Sequence, residues 1–333
     1  MGKRWIHCGL VLAVLTLSDP IGVTVRAAEF PSTALGVGTY VEREVGATGA
    51  GRVVGLYQPP AWRSGGPAIV MLHGFGGSAE DARLYGMEHV ADREGVMIAY
   101  ASGPHGEWNI GANYRNASNE VQHRDDVGYL DQIIDYLTDS AGSKASTVYL
   151  VGNSMGGLMA VSYACQRSTR VAGIAAVISG MTSGQIAVCS PGNPIPFTLM
   201  IGSADKQLPP FEGRKYAVSG VDGSQLWLAS FDEALAFWAR ANGCGPNPKD
   251  TEMPRRNPGD ETSLLKREFS SCGAAPVVGY VFRGMGHRWP GMMRHPKEAL
   301  DPSLTEKLGL PSSQADGSEL IWSFFESAQS AAP

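Results

Sequence analysis

Residues 147–160 read TVYLVGNSMGGLMA, and this stretch decides the fold. A run of β-branched and aromatic residues ends at Val151, and Gly152, Ser154 and Gly156 follow in the spacing Gly-x-Ser-x-Gly. Small and apolar residues with helical character come next. The pattern predicts a strand, a sharp turn with the serine at its apex, and a helix. Such a turn strains the serine backbone and exposes its hydroxyl, and the glycines leave room where strand and helix approach closely.

A second glycine-rich segment precedes this turn in the chain. Residues 68–72 form a continuous apolar run, which is typical of a strand buried on both faces, and residues 73–78 read HGFGGS. Attack of a serine oxygen on a carbonyl creates negative charge that preorganised backbone N–H groups must stabilise. We predict that the N–H groups of Phe75 and Met155 form this oxyanion hole and that His73 organises the loop. A phosphate-binding turn is disfavoured, because no Gly-Lys-Ser/Thr follows.

An acid and a histidine should follow the serine in the order Ser, Asp/Glu, His. Residues 196–202 read as another buried strand, and Asp205 lies three residues beyond its end. Residues 277–282 are predicted to be the last strand, and His287 follows in a glycine-flanked loop. Both side chains would then lie at the edge of the sheet that carries the serine. Later or more distant residues are weaker candidates for the two roles: Glu212, Asp222, Asp232 and His295.

The composition argues against several classes of protein. The 333 residues include 27 Lys and Arg against 32 Asp and Glu, and the net charge of −5 comes with no basic cluster that would indicate nucleic-acid binding. The histidines are scattered, and neither His-Glu-x-x-His nor Cys-x-x-Cys occurs. We therefore expect no metal and no other cofactor.

Residues 1–27 are predicted to be a secretory signal peptide. A basic start precedes an apolar stretch that ends at Leu17, which is too short to span a membrane, and no later segment is apolar enough to do so. Cys8 lies in this stretch without the small preceding residue that a lipoprotein signal requires. Cleavage after Ala27, or one residue later, would leave residues 28–333 as one α/β domain that is secreted or periplasmic.

Removal of Cys8 leaves four cysteines, which suggests two disulfides in an exported protein. Three pairings are possible. We favour the sequential pairs Cys165–Cys189 and Cys244–Cys272, because each closes a loop of a few tens of residues, which stabilises a fold by roughly 3 kcal/mol. Buried free thiols are the alternative.

The rest of the chain alternates strands with helices. Further predicted strands span residues 39–45 and 52–58, which form an antiparallel hairpin, and residues 96–100 and 171–178. Predicted helices run from Ser78 through Ala91, along the apolar face of Val127, Leu130, Ile134 and Leu137, from Ser230 to Gly243, and around residues 320–325. Residues 244–276 are polar and are predicted to be an insertion. This order predicts the α/β class, with a mostly parallel sheet covered by helices on both faces.

Together the motifs resemble the poly(3-hydroxybutyrate) depolymerase-like esterases, a group of α/β-hydrolases that includes feruloyl and acetylxylan esterases. The likeness runs from about residue 52 to residue 291. Its motifs are LHGFGGS at 72–78, ADREG at 91–95, WN at 108–109, DDVGYL at 125–130, VYLVGNSMGG at 148–157, GSAD at 202–205, WARANGC at 238–244 and GHRWPG at 286–291. The last motif is the most specific.

The resemblance implies a serine esterase whose catalytic triad is Ser154, Asp205 and His287. It also implies that the bridges near Cys165 and Cys244 are features of the family. The implied substrates are hydroxyalkanoate oligomers or polyester. Members that digest solid polymer often carry a linker and a surface-binding domain, and neither follows the predicted final helix. Soluble oligomers or small esters are therefore expected to be better substrates than crystalline polymer.

Aromatic and amide side chains near the predicted site are candidates for substrate contact. Trp108 and Asn109 lie in the long loop of residues 102–119, and Trp289 follows the predicted catalytic histidine. We predict that these three bind substrate. Simple packing under a long loop is the alternative for the residues of that loop.

Other functions remain compatible with the same residues. A feruloyl or acetylxylan esterase acting on plant polysaccharide esters is the first alternative, and hydrolysis of amides or peptides is the second. A catalytically silent relative that binds polymer or polysaccharide belongs to a different class. In every case we expect a monomer whose partner is not a nucleic acid or a membrane.

Overall fold

The computed structural model describes residues 35–46, 52–111, 119–139, 144–209, 215–216, 226–273, 275–299 and 301–330. The predicted signal peptide, residues 1–27, lies outside the described residues. Glu212 and Asp222, two of the weaker candidates for the acid, also lie outside them.

A large mixed sheet forms the centre of the fold. Its strands are β1 Thr39–Val45, β2 Arg52–Gln58, β3 Pro67–Leu72, β4 Met97–Ala101, β5 Thr147–Asn153, β6 Ile174–Val177, β7 Phe197–Gly202, β10 Lys249–Glu252, β11 Ser263–Glu268 and β12 Val277–Arg283. Their order is β1-β2-β4-β3-β5-β6-β7-β12-β11-β10, and β8 Lys215–Tyr216 pairs separately with β9 Leu226–Trp227.

The middle of the sheet is parallel and its flanks are antiparallel. Strands β4, β3, β5, β6, β7 and β12 run in one direction, whereas β1, β2, β11 and β10 make antiparallel pairs. The carboxyl ends of β3, β5, β7 and β12 therefore lie at one edge of the sheet. In open α/β sheets this edge is where sites form.

Helices cover both faces of the sheet. They are α1 Ala79–Arg83, α2 Met87–Glu94, α3 Asn119–His123, α4 Asp126–Asp139, α5 Met155–Arg167, α6 Ser183–Val188, α7 Phe231–Ala241, α8 Ser303–Leu308 and α9 Gly317–Ser330. Alternate residues of β3 enter two separate cores. Val70 belongs to the core that contains residues of α4, α5 and α7, and Met71 belongs to the core that contains residues of α1, α2 and α9. The predicted α/β architecture with two covered faces is confirmed.

Several predicted elements differ from the structure. The single helix predicted from Ser78 through Ala91 is two helices, because Gly86 adopts φ +82° and begins α2 with a new turn. The strand predicted at residues 171–178 is confined to Ile174–Val177. The final helix is longer than predicted, since α9 spans Gly317–Ser330 and buries Ile321 and Phe325 against the sheet.

The polar segment of residues 244–276 also differs from its prediction. It supplies β10 and β11, which extend the sheet beyond β12 by antiparallel pairing. All four residues of β10 are exposed, so this strand has no apolar face that the sequence could reveal.

Both predicted disulfides are present in the structure. Cys165 near the end of α5 is bonded to Cys189 at the end of α6, and Cys244 after α7 is bonded to Cys272 after β11. The two bridges close sequence separations of 24 and 28 residues. The first bridge links the carboxyl ends of α5 and α6, and the second links the segments that follow α7 and β11.

Candidate active site

Ser154 stands at the turn between β5 and α5 in a strained backbone conformation. Its φ of 52° and ψ of −118° lie outside the regions that ordinary residues adopt. A β-carbon at Gly152 would come within 2.1 Å of the Gly156 carbonyl oxygen, and one at Gly156 within 2.4 Å of the Leu72 oxygen. The predicted strand, sharp turn and helix are confirmed, and so is the steric need for the two glycines.

The structure brings Ser154, His287 and Asp205 into one hydrogen-bonded line. The Oγ of Ser154 lies 2.9 Å from Nε2 of His287, and Nδ1 of the same ring lies 2.6 Å from Oδ2 of Asp205. The imidazole is 9% exposed and the carboxylate 2% exposed. Nδ1 faces a carboxylate and must donate, so Nε2 is free to accept the serine proton.

The carboxylate of Asp205 is fixed by its own loop. Its Oδ1 accepts hydrogen bonds from the backbone N–H groups of Gln207 at 2.8 Å and Leu208 at 2.9 Å. One oxygen therefore holds the loop while the other faces His287. This turn gives a geometric reason why the acid lies three residues beyond β7.

The loop after β3 presents a free donor beside the serine. The N–H of Gly76 donates to the oxygen of Gly106 at 2.9 Å, and that of Gly77 to the oxygen of Gly74 at 3.0 Å. Within the described part of the chain, the N–H groups of Phe75 and Met155 donate no hydrogen bond. Their unpaired state is compatible with the predicted oxyanion hole.

His73 anchors this loop through hydrogen bonds of its buried ring. Its ring is fully buried, Nδ1 lies 2.8 Å from the Gly74 oxygen, and Nε2 accepts the N–H of Gly103 at 2.9 Å. Burial lowers the pKa of His73, which keeps the ring neutral and preserves the acceptor at Nε2. The predicted organising role matches this position.

Trp108 and Asn109 support the loop and do not line the cleft. The indole of Trp108 is fully buried and donates to the His73 oxygen at 2.9 Å. The amide of Asn109 donates to the Arg124 oxygen at 2.8 Å, and its backbone N–H donates to Asp126 at 2.6 Å. Their prediction as substrate-binding residues therefore needs correction. The polar groups that would have met substrate are engaged with the protein.

The loop that carries His287 is fastened by a buried ion pair. Arg288 pairs with Glu298, their side chains being 3% and 6% exposed, and Arg288 also donates to the Gly309 oxygen at 2.6 Å. Burial alone would raise the pKa of Glu298. Its hydrogen bonds from Arg288, from the backbone N–H of His295 and from Thr305 outweigh this effect and lower the pKa to about 2.

A cleft of about 340 Å³ opens onto Ser154 and His287. One wall is the stacked pair of Tyr85 and Trp289, whose ring centres lie 4.7 Å apart. Lys297 pairs with Asp81 at 2.8 Å, and both line the cleft from separate segments. Trp289 lines the cleft, and its contact with substrate stays a prediction.

Tyr85 and Asn153 also line the cleft, and neither was predicted to do so from the sequence. Tyr85 accepts a hydrogen bond from the amide of Asn153 at 3.0 Å, and burial raises the pKa of Tyr85 to about 12, so the phenol stays neutral. Asn153 is the variable residue before the serine in the Gly-x-Ser-x-Gly pattern, which was a signal that it would lie at the site. No sequence feature marked Tyr85.

A metal-binding cluster and a membrane-spanning helix are both absent from the described residues. Among them, no group of three or more His, Cys, Asp or Glu side chains is placed to hold a metal ion. In the same parts of the chain, no helix is long and apolar enough to cross a membrane.

The strained serine, the aligned histidine and carboxylate, and the sheet order define the class of the protein as an α/β-hydrolase. The acetyl xylan esterase from Aspergillus awamori superposes with a TM-score of 0.52 at 15% identity, covering 75% of this chain and 94% of that chain. At this identity the likeness shows the fold. No family model matches the chain.

Sequence relatives give the family. The chain is 30% identical over 262 residues to NocK of Nocardia uniformis subsp. tsuyamanensis, which is named as a candidate esterase, and the match covers 76% of this chain and 75% of NocK. Feruloyl esterase D of Neurospora crassa is 27% identical over 52% of this chain and 50% of its own length. Feruloyl esterase C of Emericella nidulans is 26% identical over 61% and 60%. The chain belongs to this esterase family of the α/β-hydrolases and is a carboxylic ester hydrolase.

Proposed function

We propose that Ser154, His287 and Asp205 are the catalytic triad of this esterase. The observation that carries the proposal is the continuous line of hydrogen bonds at 2.9 and 2.6 Å from the serine hydroxyl to the carboxylate. A nucleophile, a base and a group that orients the base are the parts that covalent ester hydrolysis requires. The strained backbone of the serine supports the same assignment.

The reaction follows from the geometry. Nε2 of His287 takes the proton of Ser154 as the serine oxygen attacks the ester carbonyl. Asp205 stabilises the imidazolium that forms, and the N–H groups of Phe75 and Met155 donate to the oxyanion. Each such donor is typically worth ~3 kcal/mol of the barrier.

Collapse of the tetrahedral intermediate completes the first half of the reaction. His287 returns the proton to the leaving alcohol, and the acyl group stays on Ser154. A water molecule then attacks the acyl-enzyme with His287 again acting as the base, which releases the acid and restores the serine.

The proposed substrates are feruloyl or acetyl esters of plant polysaccharide. Two relatives are named feruloyl esterases and align over 52% and 61% of this chain. The alignments span about half to three fifths of those proteins, and their names support the substrate class. The aromatic wall of Tyr85 and Trp289 and the exposed ring of Phe75 give a planar acyl group surfaces to pack against.

Hydroxyalkanoate oligomers are the second proposed substrate class. The motif GHRWPG at residues 286–291 supports it, since this motif carries the resemblance to the poly(3-hydroxybutyrate) depolymerase-like esterases. Leu208, Met292, Leu304 and Leu308 add an aliphatic lining that suits such chains. Purified protein assayed on methyl ferulate, acetylated xylan and a 3-hydroxybutyrate trimer would rank the two classes.

We also propose that the chain is exported and that residues 28–333 form one domain. The two disulfides support an oxidising compartment. The large sheet draws strands from residue 39 to residue 283, and α9 packs on it, which supports a single folding unit. Mass spectrometry of the protein from the medium and periplasm of the host would test the cleavage after Ala27.

The triad is tested by Ser154→Ala. This variant should keep its circular dichroism spectrum and lose p-nitrophenyl butyrate hydrolysis and fluorophosphonate labelling. Ser179→Ala is the matched control, because Ser179 donates to the Ser154 carbonyl oxygen at 2.7 Å and carries no proposed chemistry. Turnover that survives in Ser154→Ala would reject the proposal. Faster cleavage of peptides than of esters would replace the ester assignment with an amidase.

A further inference from the structure

Two cavities meet at one side chain. Leu208 lines the catalytic cleft, and it also lines a second cavity of about 10 Å³ that lies behind it. The second cavity has a mainly apolar lining, which includes Leu199, Ile201, Leu228 and Phe231. Its volume is at the lower limit of what one water molecule needs, so it is a poor site for ordered water.

We propose that Leu208 is a specificity-determining residue that limits the length of the hydrocarbon chain of the ester. This inference rests on the proposed function of the cleft. With leucine at this position the cleft ends at Leu208, and short or compact groups are favoured. A smaller residue would join the cavities and admit a longer linear aliphatic chain.

The position of Leu208 is fixed, which is why its side chain can act as a barrier. Its backbone N–H donates to Oδ1 of Asp205 at 2.9 Å, and Oδ2 of the same carboxylate faces His287. The side chain itself is 8% exposed and packs in the core. The backbone of Leu208 therefore cannot shift without disturbing the proposed acid.

The second cavity is also connected to the turn that carries Ser154 through one residue. Ser179 lines this cavity, and its hydroxyl donates to the backbone oxygen of Ser154 at 2.7 Å. A hydrocarbon chain that extends from an ester carbonyl bound at Ser154 past Leu208 would enter this apolar cavity. Each methylene buried there should raise kcat/KM about fourfold.

The test compares esters of different chain length in Leu208→Ala. The ratio of kcat/KM for p-nitrophenyl octanoate to that for the butyrate should rise about fifteenfold, as expected if roughly two more methylenes are buried. Hexyl and ethyl acetate, followed by pH-stat, form a second arm in which the alcohol carries the chain. A rise in either series supports the proposal and assigns the chain to the acid or to the alcohol.

Leu304→Ala is the matched control, because Leu304 lines the cleft and not the second cavity. An equal rise in this control would mean general widening and would overturn the proposal, as would an unchanged ratio in both series. Leu228→Trp added to Leu208→Ala should refill the second cavity and cancel the gain.

If Leu208→Ala unfolds at the assay temperature, Leu208→Val is used instead, and the octanoate-to-butyrate ratio of kcat/KM should rise about fourfold. If Leu208→Ala hydrolyses the butyrate with an unchanged octanoate-to-butyrate ratio, the barrier role of Leu208 is refuted and the proposed function stands. If the wild type has no esterase activity, the proposed function itself is refuted.

Discussion

Glu298→Gln is expected to destabilise the protein in a manner that depends on pH. The pKa of Glu298 falls from 4.5 to about 2 on folding, chiefly because Arg288, the His295 N–H and Thr305 donate to the carboxylate against the effect of burial. This difference corresponds to about 3 kcal/mol of stability at pH 7. Loss of one partner from a buried ion pair costs a similar amount, because the other charge is left unpaired.

The sign of the pH dependence follows from the lowered pKa. Glu298 contributes fully above pH 4.5, and its contribution falls as the pH drops toward 2, where the folded state also binds the proton. The difference in unfolding free energy between wild type and Glu298→Gln should therefore shrink from about 3 kcal/mol at pH 7 to about 1.4 kcal/mol at pH 3. Near neutral pH the melting temperature should fall by roughly 6 °C, at about 2 °C per kcal/mol for a chain of this size.

Urea denaturation of both proteins at several pH values measures this difference. Glu306→Gln is the control, since Glu306 is an exposed glutamate on the neighbouring helix and its loss should change stability by less than about 0.5 kcal/mol. A variant as stable as wild type at pH 7, or a loss that is the same at pH 7 and pH 3, would refute the reasoning. Because Arg288 follows His287 directly, esterase activity should fall together with stability.

Three further outcomes follow from the geometry. Asp205→Asn should lower kcat by roughly 10⁴ with an unchanged far-UV spectrum, and a loss below tenfold would contradict the triad. Replacing Cys165 and Cys189 together by serine should cost about 3.5 kcal/mol in urea denaturation for the 24-residue separation, and an unchanged midpoint would contradict it. His73→Gln should weaken the pH dependence of the free energy of unfolding below pH 6.5. Since burial lowers the pKa of His73 below 6.5, the unfolded wild type binds the proton first and stability is lost as pH falls; an equal slope in the variant would oppose this account.

The residues at the ends of buried strands could be predicted from the sequence. Ser154, Asp205 and His287 each follow an apolar run that reads as a strand, and carboxyl ends of parallel strands meet at one edge of a sheet. The glycines around the serine gave a local steric signal that needs no knowledge of the rest of the fold. Four cysteines at moderate spacing likewise favoured the two bridges that the structure contains.

The other residues that face the cleft could not be predicted in the same way. Trp108 and Asn109 have the side chains of a binding site, but which side of a long loop meets substrate depends on contacts with distant segments such as Arg124. Tyr85 lines the cleft from the turn where Gly86, with φ +82°, separates α1 from α2. Strand β10 is exposed throughout, so only its hydrogen bonds to β11 identify it.

The two carboxylate oxygens of Asp205 have different partners. Substitution at this position should therefore lower the rate without changing the preference for ester chain length. Two backbone N–H groups, from Gln207 and Leu208, point at Oδ1. In Asp205→Asn the amide oxygen must take that place, because an NH₂ group there would face two donors. The NH₂ group then faces Nδ1 of His287, which has to accept, and the ring proton moves to Nε2, where it blocks proton transfer from Ser154. The turn that holds Leu208 is retained, so Asp205→Asn should keep the chain-length preference of wild type in its residual activity.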